Sequence, residues 1–185
     1  MLSKAWIKVL LGFFALSLAA GLIFYPLPVL QVKDTNDQAM LIPLLRGKSF
    51  SLEYVHSVQK SPVRENFAAV AGNQIQLTST TFQTLGVGLP FLSTEGQLVN
   101  NQGTFELTGQ NRVFREIRLA VMPVSYQSLV YNNHQYLLSN YFLPGSLVEI
   151  SIQSYSPGYL IWHRIAVIFK GGLLWINQSL HQEMK

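Results

Sequence analysis

The sequence predicts a mainly β protein: a small antiparallel β-sandwich or barrel that carries one N-terminal transmembrane helix. Three observations predict this: a charge-free apolar run near the N-terminus, short β-rich runs separated by turn residues through the middle, and no long amphipathic helix among those runs. We divide the 185 residues into an anchor and exit segment (1–30), an extracytoplasmic β domain (31–160), and a basic and aromatic tail (161–185) that is a candidate membrane-interfacial segment.

The N-terminal segment is predicted to be a membrane anchor. The stretch Val9–Tyr25 contains 17 residues and no charge. A helix of that length spans about 26 Å, close to the ~30 Å hydrocarbon thickness of a bilayer. Lys4 and Lys8 precede it, so we expect a single pass through the cytoplasmic membrane with the N-terminus inside and the β domain on the periplasmic or extracellular side. A cleaved signal peptide is the alternative, but Ala19-Ala20-Gly21 is followed by further apolar residues instead of a clean cleavage region.

Composition excludes several kinds of protein. The chain has no cysteine, which excludes a disulfide scaffold, a cysteine zinc site and a cysteine nucleophile. The net charge of +4 belongs to the two ends, since residues 31–160 contain eight basic and eight acidic side chains. We therefore expect no nucleic-acid partner, which would need a basic patch on the folded domain. The four histidines are far apart in sequence, and neither a metal nor another cofactor is expected.

The middle of the chain is predicted to form short antiparallel strands joined by turns. Gly72-Asn73 is a two-residue hairpin signal, and polar turns of the same type separate the later runs. The predicted strands are Ser49–Ser57, Arg64–Ala71, Gln74–Phe82, Thr104–Leu107, Arg112–Val121, Gln127–Tyr131, Gln135–Ser139 and Leu147–Ser154.

The first hairpin suggests a specific register. If the apolar residues of both strands face one core, Tyr54 lies opposite Phe67 and the connecting loop is Val58–Pro62. The same register puts His56 opposite Glu65 at the rim of the core face. This predicts a histidine–carboxylate pair that water can reach.

The residues around this hairpin carry a family resemblance. Tyr54–Val58 (YVHSV) followed by Ser61–Phe67 (SPVRENF) resembles the Tyr-x-His-Ser-Val and Pro-Val-x-Glu motif of the domain-of-unknown-function family eighteen-fifty. Phe82–Pro90 is similar to the glycine loop of that family, and Arg118–Val124 to its late strand. One departure is Tyr126-Gln127, where the family pattern has Asp-His or Asn-His.

The resemblance covers roughly residues 48–150. It implies a genomic setting and not a reaction mechanism, since the family has no assigned activity. Members of the family are small bacterial exported proteins often encoded beside TAXI-type TRAP transporters. We therefore expect a non-catalytic accessory protein whose partners are the cytoplasmic membrane and a TRAP-type permease or its substrate-binding protein. The expected contact residues are Tyr54, His56, Ser57, Lys60, Pro62, Glu65, Gly86, Gly88 and Pro90.

Two other functions stay open at this point. The first is a small-molecule hydrolase or isomerase in which His56 and Glu65 act as an acid–base pair. Ser57 does not complete a triad there, because adjacent strand residues point to opposite faces. The second is a ligand-binding β domain with an apolar pocket between the sheets. A purely structural role for the pair, fixing the hairpin register, is the simplest interpretation.

The C-terminal tail has three interpretations. The apolar stretch Ile165–Ile176 has 12 residues and is interrupted by Lys170 and Gly171-Gly172, so it is short for a membrane crossing. An interfacial helix, a last strand with a turn, and a second crossing all remain open.

Overall fold

Antiparallel β-strands form most of the protein, as the sequence predicts. The structure, a computed structural model, describes residues 4–83 and 96–167. The chain divides into two compact units: one holds residues up to 27 together with those from 154 onward, and the other holds residues 28–153.

Twelve strands lie in the described residues. They are β1 (Leu27–Asp34), β2 (Ala39–Pro43), β3 (Ser49–Val55), β4 (Pro62–Val70), β5 (Gln74–Phe82), β6 (Gln97–Asn101), β7 (Thr104–Thr108), β8 (Val113–Phe114), β9 (Glu116–Ala120), β10 (Ser128–Tyr131), β11 (His134–Leu137) and β12 (Leu147–Tyr155). Two short 3-10 helices, Pro123–Ser125 and Leu138–Asn140, precede and follow the β10–β11 hairpin.

The strands form two sheets. The small sheet has the order β2-β1-β12-β9. The large sheet has the order β11-β10-β3-β4-β5-β7-β6, and β8 also pairs with β5. Within the described residues neither sheet closes on itself, since each ends in two edge strands.

Alternation along the strands places one face of each sheet in a shared core. In the large sheet Phe50 and Leu52 are buried, and their partner strand contributes Phe67, which stacks on Phe50 with ring centroids 5.5 Å apart. Residues of the small sheet such as Leu30 and Ile150 belong to the same buried cluster. Each such side chain stabilises the fold by about 1.5–3 kcal/mol when fully buried.

A β-bulge interrupts the pairing of β4 with β5. Asn66 is opposite Ser79 whereas Phe67 is opposite Leu77, so Thr78 has no residue opposite it. The Thr78 hydroxyl donates to the Asn66 carbonyl oxygen at 2.9 Å, which closes the bulge. The extra residue reverses the alternation of β5 and turns a polar side chain toward the core.

The described residues of the other unit include two helical segments. Helix α1 (Lys4–Phe24) is followed after a short exit by β1, and helix α2 (residues 157–167) follows β12. Gly158 lies against Ile23, since a Cβ on Gly158 would be 3.1 Å from the Ile23 Cγ2 atom. Tyr155 and Tyr159 stack with ring centroids 4.6 Å apart.

Large apolar side chains are exposed on successive turns of α1. They are Trp6, Ile7, Val9, Leu10, Leu11, Phe13, Phe14, Leu16, Leu18, Ile23 and Phe24. No helix formed by residues 4–83 and 96–167 has the length and apolarity that a bilayer crossing requires.

Helix α2 includes the first residues of the C-terminal tail, for which the sequence left three interpretations open. Residues 161–167 are helical, so in this part the interpretation as a last strand and a turn is wrong. The helix begins at residue 157, inside the stretch that the sequence assigned to the β domain. Residues 168–185 lie outside the described part of the chain.

Candidate functional site

The first hairpin forms with a register different from the predicted one. The structure pairs Tyr54 with Val63 and Leu52 with Glu65. His56 therefore does not lie opposite Glu65, and the predicted register is wrong by four residues: the partner of Tyr54 is Val63 instead of Phe67. Both registers put the same residues on the inner face of the sheet, so the apolar pattern had no means of distinguishing them.

The connecting loop, residues 56–61, fixes the observed register. The His56 N–H donates to the Ser61 carbonyl oxygen at 2.9 Å, and the Lys60 N–H donates to the His56 carbonyl oxygen at 2.9 Å. Lys60 has a left-handed backbone, with φ of 53°. The His56 Nδ1 atom accepts from the N–H groups of Val58 at 3.3 Å and Gln59 at 3.2 Å. These bonds close the turn earlier than the predicted Val58–Pro62 loop would.

His56 and Glu65 are consequently too far apart to act as an acid–base pair. His56 is four residues from Leu52, the residue opposite Glu65, which is about 13 Å along a β-strand. Its Nδ1 atom is already engaged by two backbone amides. The hydrolase or isomerase interpretation based on this pair loses its geometric basis, and His56 instead organises the loop.

Glu65 has a different partner on the inner face of the large sheet. The Tyr54 hydroxyl donates to Glu65 Oε1 at 3.4 Å. Burial raises the pKa of the Glu65 carboxyl, against smaller opposite effects of the Tyr54 hydrogen bond and the Arg112 charge. Burial, and then the charge of Glu65, raises the pKa of the Tyr54 hydroxyl. Glu65 is therefore a carboxyl that holds its proton more readily than an exposed glutamate does.

Thr80 lies beside Glu65, and Gln110 is hydrogen-bonded to Thr80. Thr80 is directly opposite Glu65 on β5, and its hydroxyl donates to Gln110 Oε1 at 2.8 Å. Gln110 is only 2% exposed, and among the described residues its Nε2 atom has no hydrogen-bond partner. We call Tyr54, Glu65, Thr80 and Gln110 the inner polar cluster. It can bind a polar group or hold a proton.

Sequence reasoning found half of this cluster. Tyr54 and Glu65 were candidates because of the hairpin motif, but Thr80 and Gln110 were not. Simple alternation from Leu77 places Thr80 on the outer face, and only the bulge at Thr78 reverses this. Gln110 follows a glycine in what reads as a solvated turn, and nothing in the sequence marks it as buried.

The outer face of the same strands contains a cavity of about 360 Å³. Glu53, Arg64 and Thr81 follow one another across β3, β4 and β5 as directly opposed residues, so their side chains share this face. The Arg64 Nη2 atom lies 2.7 Å from Glu53 Oε1, and Gln135 Nε2 donates to Glu53 Oε2 at 3.5 Å. We call this the outer cavity; its walls include Glu53, Arg64, Thr81, Gln83, Tyr126 and Gln135.

The structure distributes the predicted contact residues over several places. Tyr54 and Pro62 border the outer cavity, and Tyr54 and Glu65 belong to the inner polar cluster. His56, Ser57 and Lys60 lie in the hairpin loop. Gly86, Gly88 and Pro90 lie outside the described residues. Across residues 4–83 and 96–167, no three histidine, aspartate or glutamate side chains converge as a metal site would require.

Comparison with known proteins identifies one family. The model of the family described as "Domain of unknown function (DUF1850)" matches residues 50–138, and the chain resembles that family over this stretch. Neither the curated proteins nor the solved structures gave a match. The inner polar cluster and the six named residues of the outer cavity all fall within residues 50–138.

Proposed function

We propose that this chain, whose residues 50–138 match the DUF1850 family, is a membrane-anchored extracytoplasmic accessory protein without catalytic activity. We base the anchor on the sequence, in which the uncharged run Val9–Tyr25 would cross the cytoplasmic membrane once with the N-terminus inside. The two sheets form a small sandwich on the periplasmic or extracellular side. Its partner is a TRAP-type transporter permease or the substrate-binding protein of that transporter.

The exposed apolar surface of α1 is the main observation that supports the proposed membrane anchor. Phe13, Phe14 and Leu16 are exposed although water disfavours each of them. The only charges of α1 are Lys4 and Lys8, near its N-terminal end. A helix that is apolar on all sides is typical of a segment surrounded by lipid.

Aromatic residues support a position at the membrane surface for the segments that precede and follow the β domain. Tyr25 follows α1 and is exposed, and the stacked Tyr155 and Tyr159 connect β12 with α2. Tyrosine and tryptophan are enriched where a protein leaves a membrane, since their rings are apolar and their polar atoms reach water. Trp162 is exposed on α2 and is also suited to the membrane–water interface.

The hairpin loop, residues 56–61, is the proposed partner contact. Val58 is 70% exposed at its tip, with the cation of Lys60 two residues away. A partner that covers this exposed apolar side chain removes it from water, which favours association. The partner class itself comes from the family resemblance of the sequence motif.

Capture of the partner from native membranes tests this proposal. We expect the full chain, purified in a mild detergent, to retain a TRAP permease or its substrate-binding protein, identified by mass spectrometry. Val58→Asp is expected to lower recovery about tenfold, because it places a charge in an apolar contact. Val124→Asp is the matched control, since Val124 is 76% exposed outside the loop. Recovery of the unaltered protein alone would contradict the partner assignment, and equal recovery with both variants would contradict the hairpin loop as the contact.

A further inference from the structure

The outer cavity lies across three neighbouring strands whose spacing is fixed by backbone pairing. Glu53 is opposite Arg64 and Arg64 is opposite Thr81, and Gln83, which follows the last residue of β5, also lines the cavity. Its volume of about 360 Å³ falls within the ~300–1,000 Å³ typical of small-molecule sites. The polar side chains in its wall are therefore held on a rigid platform.

The charges in the cavity wall compensate each other. The Glu53 carboxylate and the Arg64 guanidinium form an ion pair at 2.7 Å, and neither side chain is buried. A bound anion would be repelled by Glu53 and a bound cation by Arg64, so the site favours a neutral ligand. The guanidinium and the carboxylate have more donors and acceptor sites than their described contacts with each other and with Gln135 use, so both can also bind hydroxyl groups of a ligand.

Tyr126 gives the cavity an exposed aromatic wall. It is 66% exposed and has a left-handed backbone, with φ of 47° and ψ of 40°. Its N–H donates to the Pro123 carbonyl oxygen at 3.0 Å, and Gln127 Oε1 accepts from the Met122 N–H at 2.8 Å. A left-handed conformation is unfavourable for a bulky residue, and such strained positions cluster at binding sites.

We propose that the outer cavity binds a neutral polyhydroxylated ligand, of the class of monosaccharides and disaccharides. A sugar presents hydroxyl groups that both donate and accept, which suits the Glu53–Arg64 pair and the amides of Gln83 and Gln135. It also presents an apolar C–H face, which suits the ring of Tyr126. This inference concerns residues 28–153 and does not depend on the membrane anchor or on the transporter partner.

Saturation-transfer NMR on the full chain tests this assignment, in a detergent whose head group is not a sugar. The probes are glucose, galactose, N-acetylglucosamine, cellobiose, maltose and lactose, and the charged counterparts are gluconate and glucosamine. We expect at least one neutral sugar to bind at millimolar concentration, more tightly than both charged counterparts. No transfer to any neutral sugar, or tighter binding of a charged counterpart, would overturn the proposal.

Substitutions then locate the site. Tyr126→Asn keeps a residue that tolerates a left-handed backbone but removes the ring, and is expected to weaken binding about fivefold to tenfold. Tyr126→Phe is expected to retain binding, and Glu53→Gln to weaken it. Tyr141→Ala removes an exposed tyrosine outside the cavity and is expected to have no effect. If the ligand binds Tyr126→Asn and Glu53→Gln as tightly as the unaltered protein, the site is not this cavity.

Discussion

Replacing Leu16 with arginine is expected to release the protein from membranes. Leu16 lies in the middle of the apolar run of α1 and is 70% exposed. An arginine at the centre of a membrane-inserted helix costs about 3 kcal/mol, which is about a hundredfold in a partition equilibrium. We expect the unaltered protein to remain in the pellet after alkaline carbonate extraction, and Leu16→Arg to move largely into the supernatant.

Val58→Arg is the matched control for this experiment. Val58 is as exposed as Leu16 but belongs to the hairpin loop and not to the proposed anchor. It is expected to stay in the pellet with the unaltered protein. An unaltered protein that is extracted by carbonate, or a Leu16→Arg protein that resists extraction, would contradict the role of α1 as the anchor.

Replacing Glu65 with glutamine is expected to change how the stability of the protein depends on pH. Because burial raises the pKa of Glu65 above its ordinary value of 4.5, the folded state keeps a proton that the unfolded state has lost just above that pH. The free energy of unfolding contributed by Glu65 therefore falls as the pH rises through this window, and stays lower above it. Glutamine does not titrate, so Glu65→Gln lacks this fall.

Near neutral pH, we expect Glu65→Gln to be more stable than the unaltered protein by about 1 kcal/mol, the scale of the desolvation penalty of a buried polar group. Glutamine keeps a carbonyl oxygen that can accept from the Tyr54 hydroxyl. Chemical denaturation followed by circular dichroism between pH 4 and pH 8 measures the difference between the two proteins, with Glu149→Gln as a control at a partly exposed strand position. A constant difference across this range would show that Glu65 is not in the desolvating environment described here.

The alternation of apolar residues was sufficient to predict much of the large sheet. The runs around Phe50, Phe67 and Leu129 were predicted as strands and form β3, β4 and β10, with these side chains buried. Alternation determines which face is buried, because burial of one face is the main driving force of a strand. The mainly β, antiparallel class is confirmed for this reason.

The alternation of apolar residues did not predict the hairpin register or the β-bulge. The hairpin register depends on hydrogen bonds of His56 and on the left-handed backbone of Lys60, neither of which an apolar pattern encodes. The bulge at Thr78 brings Thr80 to the core, although the sequence of β5 gives no turn or glycine signal there. The inner polar cluster was consequently only half predicted.

The start of the β domain was also missed. Residues 27–30 were assigned to the exit segment because of the prolines there, yet they form the first half of β1 (Leu27–Asp34), a central strand of the small sheet. Pro28 lies near the start of that strand, where the loss of one N–H donor is tolerated. Val29, Leu30 and Val32 are fully buried there, and this burial outweighs the proline signal.

Labelling of single cysteines in spheroplasts tests most directly whether the β domain is anchored outside the cytoplasm. The chain has no cysteine of its own, so Val58→Cys and Ser3→Cys each provide one reactive site. With a membrane-impermeant maleimide, we expect Val58→Cys to be labelled in intact spheroplasts and Ser3→Cys to be labelled only after lysis. Protection of Val58→Cys until lysis, or labelling of Ser3→Cys before it, would contradict the proposed topology.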